Sequence, residues 1–452
     1  MLTYSLKKSP GVPLYEALYR CIRRDILSGN LKPGEKLPSK RALAQNLEVS
    51  KITVETAYSQ LLEEGYICSQ EKVGYFVEAV DRGKNREKQL PQEPEPVFPL
   101  SAPGTHFPFS VWSRLQREVM LDYGEKLLSP MPNRGVPELR QAIAGHLADF
   151  RGMEVDPRNI LIGAGTDFLY NLLIQLLGRD LTYAVENPGY EKIRRIYEAG
   201  GVSILSAQMD EKGVDPRSLG NARVLHISPT HHFPTGIVTP VSRRQELLTW
   251  VNRHRGWIIE DDYDSEFRFA AHPLPAMQSM DPSRVIYMNS FSKSLAPSIR
   301  ISYMVLPTAL MEKFQQKLGF YDCTVPSFEQ YTLARFLSRG FFEKHINRMR
   351  RFYKKQRTWA IAQLKAWKYG DRLTICEQDA GLYFLMKLET DLSDRQLRAV
   401  FESRGLPFRC LADDDCGQNP ENLHCLAVSY GDIQKESMEK ALQALESIFE
   451  NS

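Results

Sequence analysis

The segment S-F-S-K-S-L-A-P-S-I-R, Ser290 to Arg300, sets Lys293 between Ser292 and Ser294, with Ser290 three residues before it and Arg300 seven after. A lysine amine condenses with an aldehyde, and neighbouring hydroxyls with a guanidinium hold a phosphate. Both chemistries on one short stretch are what a pyridoxal 5'-phosphate anchor needs. Lys293 would form the Schiff base while Ser290, Ser292 and Arg300 clamp the phosphate. A solvated serine–lysine loop is the competing reading of the same residues.

A second segment weighs against that alternative. W-I-I-E-D-D-Y-D-S-E-F-R runs from Trp257 to Arg268. Its apolar start, without alternation, predicts the end of a buried parallel strand. The acidic cluster then falls at the strand's carboxyl end, where open α/β sheets bind ligands. A carboxylate there pairs with a protonated pyridine nitrogen and keeps the ring an electron sink. Asp261 is the candidate for that contact and Tyr263 for a hydrogen bond to the phenolic oxygen.

Three upstream segments extend the pattern. I-L-I-G-A-G-T-D-F-L, residues 160–169, reads as a strand end, a glycine turn and a helix start, so Gly165, Thr166 and the next amide can receive a phosphate. E-N-P-G-Y, Glu186 to Tyr190, offers Tyr190 as a ring to stack on the cofactor. S-P-T-H-H-F-P-T-G, Ser228 to Gly236, brings His231 and His232 beside a turn. They can touch the ring oxygen or a bound amine, or sit hydrogen-bonded in the core.

A chain of 452 residues with 42% hydrophobic and 25% charged residues is expected to fold as two or three domains. A net charge of +3 advertises no global basic field. The seven cysteines show no C-x-x-C spacing. Their odd number and the lack of a signal sequence predict a reducing, cytoplasmic setting. Cys410, Cys416, Cys425 and His424 match no common zinc spacing, so no metal is expected. No apolar run is long enough to predict a membrane span.

Residues 79–98 are rich in charge and proline and nearly free of apolar side chains, which predicts a semi-stiff linker. It divides a head, residues 1–78, from a body, residues 99–452, whose C-terminal subdomain is expected from about residue 340. In the head, Leu14, Leu18, Ile22 and Ile26 have a helical period. Ser39 caps a second predicted helix with Ala42, Leu43 and Leu47 inward, and Ser50 a third, from Lys51 to Glu64. Gly65 ends it. Residues 66–68 and 75–77 can pair as a wing around Glu71, Lys72 and Gly74.

The run G-x-L-x-P-G-E-K-L-P-S-x-R-x-L-A, followed by V-S-x-x-T-V, resembles the GntR-type winged helix-turn-helix over about residues 13–77. That geometry puts Ser50, Lys51, Ile52 and Thr53 at the start of the recognition helix, where side chains reach base edges. The resemblance adds Ser39, Arg41, Lys72 and Gly74 as candidate DNA contacts. Glu55 stands where many such domains carry a second base-reading arginine.

In order and separation, the body segments resemble fold type I pyridoxal phosphate enzymes. Joined to the head, they resemble the MocR/GabR regulators across essentially the whole chain. The resemblance implies an α/β fold: winged helix-turn-helix, linker, then an aminotransferase-like domain with a mixed, mostly parallel sheet and a smaller α+β subdomain. It implies Lys293 as the Schiff-base lysine, Asp261 on the pyridine nitrogen and Tyr263 on the phenolic oxygen. Tyr190 then stacks on the ring, and Thr166, Ser290, Ser292 and Arg300 hold the phosphate. It also implies a head-to-tail homodimer on operator DNA.

The chain departs from the family in the amine site. Phe233 replaces the usual asparagine of the N-P-T-G turn, as in the regulators, and His232 stands where they commonly have glutamine. Ala427 occupies the place of a substrate-carboxylate arginine, and Lys192 that of another arginine in GABA-sensing members. Lysine lacks the planar fork for bidentate carboxylate recognition. Arg195 and Arg409 are possible substitutes that sequence alone does not place. The expected function is a transcription regulator sensing an amine or pyridoxal phosphate itself. The alternatives are a working aminotransferase with an accessory DNA-binding domain and a DNA-binding scaffold with no ligand.

Overall fold

The computed structural model describes residues 4, 13–70, 73–79, 106–268, 275–376, 381–406, 409–411, 424–431, 433 and 435–450. The chain divides into two units, Met1–Val97 and Phe98–Ser452. Of the expected linker, only residue 79 lies among the described residues.

In the first unit, α1 (Leu14–Ser28) buries Leu18, Ile22 and Ile26 along one face and ends at left-handed Gly29. Ser39 caps α2 (Lys40–Asn46) by accepting the Ala42 amide at 3.2 Å. Ser50 caps α3 (Lys51–Glu63), accepting from Thr53 at 3.1 Å. Each cap satisfies an amide the helix leaves without a partner, a contribution of about 1 kcal/mol. Gly65 follows at φ 75, open to a glycine without strain. Strands β1 (Ile67–Gln70) and β2 (Gly74–Val77) pair antiparallel as the wing. Leu43 and Ala44 are buried on α2, whereas Leu47 is half-buried against the core and Ala42 half-buried at the first turn beside the cap.

The second unit is built on an eight-stranded sheet. Its strands are β3 (Ile160–Gly163), β4 (Thr182–Asn187), β5 (Ser203–Asp210), β6 (Gly213–Val214), β7 (Val224–Ile227), β8 (Trp257–Asp261), β9 (Val285–Ser290) and β10 (Ser302–Val305). Their spatial order is β3-β10-β9-β8-β7-β4-β5-β6. Strands β5, β4, β7, β8 and β9 run parallel, while β10 opposes both β3 and β9. Every residue of β3, β7, β9 and β10 is buried, which explains the unbroken apolar runs. The carboxyl ends of β3, β4, β7, β8 and β9 therefore open on one rim. Ser302 faces both Gly163 and Ser290, so the ends of β3 and β9 flank one residue.

A three-stranded antiparallel sheet completes the body: β11 (Leu373–Cys376), β12 (Tyr383–Leu388) and β13 (Cys425–Ser429). It is accompanied by the helices Phe341–Ala366, Asp394–Glu402 and Lys435–Phe449. Ser393 and Gln396 form a capping box on the middle one. Among the described residues, no helix is long and apolar enough to cross a membrane.

Candidate functional site

Asp261 is the last residue of β8 and is buried on the rim. The Tyr170 hydroxyl donates to its Oδ2, and His226 Nε2 stands 3.6 Å from the same oxygen. His226 Nδ1 shares a 2.7 Å hydrogen bond with the Tyr197 hydroxyl. Burial first, then the Asp261 charge, holds Tyr170 well above the usual phenol range, so it remains a donor. The buried Oδ1 of Asp261 has no hydrogen-bond partner among the described residues. Tyr170 and His226 escaped the sequence reading. The only signal was Tyr170's place one helical turn beyond Thr166.

Next to Asp261, Asp262 turns into the core. Arg151 Nη2 lies 2.8 Å from its Oδ2, both side chains 1% exposed, and Tyr287 donates to the same oxygen at 2.7 Å. Burial opposes the Arg151 charge, yet Asp262 and further acidic neighbours outweigh it and hold its pKa above the ordinary value.

From the loop after β7, His231 Nδ1 meets Asp264 Oδ2 at 2.8 Å, and the Tyr263 hydroxyl lies 3.5 Å from that nitrogen. His231 Nε2 is buried without a partner among the described residues. His232 Nδ1 is 2.7 Å from Thr235 Oγ1 and its Nε2 3.5 Å from Glu186. Burial lowers His232 to about 3 and pushes Glu186 up to about 8, so His232 is a neutral imidazole. Of the two histidines, His231 is the one hydrogen-bonded to a carboxylate.

Lys293 stands on the single helical turn Phe291–Ser294 that follows β9. Burial lowers its pKa; Asp264 opposes the shift and Arg409 adds to it. The amine is thus neutral and nucleophilic over more of the physiological range than an exposed lysine. Ser290 accepts the Ser292 amide at 3.2 Å and the Ser302 hydroxyl at 2.9 Å, which leaves its own proton to donate. Ser292 Oγ is buried with no partner among the described residues.

Gly165, at φ 92, precedes the helix Thr166–Leu177. A Cβ there would lie 2.1 Å from Arg300 Nη2, so the guanidinium rests directly on the glycine. Arg300 adopts φ 50, rare for a residue with a side chain. The helix N-terminus and Arg300 make a positive corner. Asp167 holds it, lying 3.4 Å from Arg300 and 2.7 Å from Lys192. Tyr190 directly precedes the helix Glu191–Ala199, with its ring 5.9 Å from Phe233. The Arg409 guanidinium lies 4.3 Å from the Phe233 ring and 5.6 Å from Tyr190. Arg195 instead pairs with Glu191 at 2.5 Å and is 72% exposed.

On the first unit, Ser50 and Thr53 hydroxyls share a 2.8 Å contact at the start of α3, and Arg41 and Lys51 are exposed. Glu55 lies 3.4 Å from Lys51 and 3.8 Å from Lys40. Ile52 is 72% exposed. Gly74 adopts φ 136, and a Cβ there would be 3.1 Å from Lys36. Lys72 lies outside the described residues.

Residues 14–77 match the family described as bacterial regulatory proteins, gntR family, and residues 103–444 match aminotransferase class I and II. The HTH-type transcriptional regulator YhdI of Bacillus subtilis (strain 168) is 33% identical over 99% of this chain and 98% of its own length. "Probable rhizopine catabolism regulatory protein MocR" of Rhizobium meliloti is 31% identical over 98% and 95%. This chain belongs to the MocR/GabR-type transcription regulators. Among solved structures, the multiple substrate aminotransferase of Thermococcus profundus superposes with a TM-score of 0.67 at 22% identity, covering 76% of this chain and 88% of that one. That likeness establishes the fold of the regulator's body.

An aminotransferase class I and II body takes pyridoxal phosphate. The rim fits it. Asp261 Oδ1, His231 Nε2 and Ser292 Oγ are buried polar atoms without partners among the described residues, and such atoms are rare unless a ligand or water completes them. A glycine beneath Arg300, at a helix N-terminus, is a cradle a side chain would fill.

Proposed function

We propose that this MocR/GabR-type regulator reads an amine, or pyridoxal phosphate itself, through Lys293 and transmits occupancy to its DNA-binding head. One observation carries the reading: the rim holds a full set of cofactor-type residues, while the family's carboxylate-arginine positions are Ala427 and a Lys192 already paired with Asp167. Such a site holds a cofactor well and grips an ordinary amino acid poorly.

Bound there, the cofactor supplies an aldehyde for amines and an electron-withdrawing ring. Lys293 delivers the amine, its charged form disfavoured by burial and favoured by the Asp264 carboxylate. Asp261, fixed by Tyr170 and His226, presents a carboxylate to a protonated ring nitrogen. Tyr263 and His231 line the oxygen side. The Gly165–Thr166 amides, Ser290, Ser292 and Arg300 take the phosphate, and Tyr190 covers a ring face. A relative of 32% identity over 75% of this chain is named the HTH-type pyridoxine biosynthesis transcriptional regulator PdxR of Corynebacterium glutamicum, which supports pyridoxal phosphate itself as one effector. The regulator acts in the cytoplasm as a head-to-tail homodimer on two half-sites. An aminotransferase with an accessory head is the second reading, favoured by the complete Lys293–Asp261 set; steady-state turnover on amino donors would establish it.

The test is an operator titration at fixed salt with apo, cofactor-loaded and amine-treated protein. Differential binding of effector to two arrangements shifts operator affinity by ~5–150-fold, and the operator shifts effector affinity by the same factor. Identical curves in all three states would leave the enzyme reading standing instead.

For the head, Lys51→Ala or Arg41→Ala is expected to weaken specific binding by about 1–3 kcal/mol where the side chain reads a base. A phosphate contact would lower affinity alike on all sequences and flatten the salt dependence. Unchanged affinity and unchanged salt slope in both variants would remove these residues from the interface.

A further inference from the structure

The helix Phe341–Ala366 touches both halves of the cofactor rim. His345 is buried, and its Nε2 lies 2.9 Å from the carbonyl of Ser294, the residue next to Lys293. That carbonyl ends a single helical turn, which leaves its last carbonyls without a donor of its own. On the same helix, Arg350 Nε donates at 2.5 Å to the carbonyl of Glu266, two residues after Asp264. One element thus holds both the Lys293 turn and the segment that follows Asp261.

One turn beyond His345, Arg348 Nη2 lies 3.0 Å from His345 Nδ1 and donates to the His106 carbonyl at 2.9 Å. His106 is the first described residue of the body after the linker. Its ring lies 4.0 Å from that of Phe352, which shares the helix stripe of His345 and Arg348. The proton count fixes the direction of each bond. Burial lowers His345 to about 4, so the ring is neutral and carries one N–H. The Ser294 carbonyl only accepts, so the proton is on Nε2 and Nδ1 accepts from Arg348. Arg348 Nη2 has two protons, one for the imidazole and one for His106. Three hydrogen bonds therefore run unbroken from the residue beside Lys293 to the residue nearest the linker.

We propose that His345 and Arg348 are positioning residues that tie the Lys293 turn to the linker end of the body, and that occupancy at Lys293 reaches the linker through them. This rests on the occupancy-sensing reading above and names its route. A change at Lys293 moves the Ser294 carbonyl one residue away. His345 has no second proton to bridge a gap, so the imidazole follows and takes Arg348 with it, or a hydrogen bond is lost. A chain of contacts passes on no more free energy than its weakest bond holds. A hydrogen bond of this kind carries a factor of about 2–10 in an equilibrium, and that sets the share of the coupling this route conveys.

The experiment uses the full-length protein and a DNA duplex selected from a random pool by its apo and cofactor-loaded forms in parallel. Affinity is measured at fixed salt for apo protein, for protein loaded with pyridoxal phosphate, and for loaded protein with a mixture of primary amines. The coupling factor is the largest ratio among the three states within each protein, so a variant that binds DNA or cofactor less well is still readable. Arg348→Met should lower the wild-type factor by about 2- to 10-fold. Arg348 is exposed, so this variant keeps its core. Arg348→Lys, whose ammonium has donors for both acceptors, should retain the factor. His345→Gln, with an amide N–H for Ser294 and a carbonyl for Arg348, should retain it too, whereas His345→Leu should not. An unchanged factor in Arg348→Met would overturn the route and leave occupancy sensing standing. Equal losses in all four variants would assign these residues to the support of the fold alone and overturn it as well. A wild type in which the three states bind alike would end both the route and the occupancy reading.

Discussion

Lys293→Ala is expected to abolish the visible absorbance of a lysine-held cofactor and, with it, every response to amines. The loss should be complete because no other described lysine combines this position with this environment. Lys293 is mostly buried on the turn after β9, its charged form disfavoured by burial and its neighbour Asp264 close enough to feel it. Borohydride reduction of the loaded wild type should label Lys293 and leave the variant unlabelled. The head should remain folded and bind operator, since it forms its own unit with its own core. A response to non-covalently bound cofactor can survive in the variant, because Arg300, the serines and Asp261 are untouched. Unchanged absorbance, or a label on a different lysine, would refute the assignment.

The second large effect is on stability. Arg151→Met should lower the unfolding free energy of the body by about 3–5 kcal/mol, because it leaves Asp262 buried without its counter-charge. Asp262 would keep the Tyr287 hydroxyl but lose the 2.8 Å ion pair, with both partners 1% exposed. The deficit should grow with pH. Burial pushes the neighbouring Glu266 up to about 8, so it is protonated near neutrality and becomes a second uncompensated anion as pH rises through that value. A carboxyl raised on folding gives up its stabilising share in that direction. Thermal midpoints in mildly acid and alkaline buffer read the effect. Pairing the change with Asp262→Leu should recover part of the loss, since removing both charges ends the burial of a lone one. No loss would show that the pair is not what holds this layer, and a pH-independent loss would remove Glu266 from the account.

What sequence could reveal was local. Ser39 and Ser50 were legible as caps because a cap acts within three residues, and Gly165 because a glycine turn joins a strand directly to a helix. Lys293, Ser292 and Arg300 share one segment and needed no tertiary guess. The missed residues reach the site across the sheet. Tyr170 is 91 positions from Asp261, and His226 lies on another strand. Arg151 ends a helix far upstream of Asp262. Arg409 was visible as a candidate, but only its backbone bond to Ala427 and the ring of Phe233 give it a location. Ala42 was placed inward on α2 because helical spacing shows which residues share a face, but not how far each lies below the surface at a first turn.

Ile52 stands at the opening turn of the recognition helix with most of its side chain in water, flanked by Lys51, which Glu55 holds. The contact face of α3 is therefore not purely ionic. When an apolar side chain leaves water against a thymine methyl or a sugar, the free energy released does not depend on counterions. Part of this head's grip on its operator would then persist at salt concentrations that strip its lysines of influence, and it would carry the negative heat-capacity change of dehydrated apolar surface.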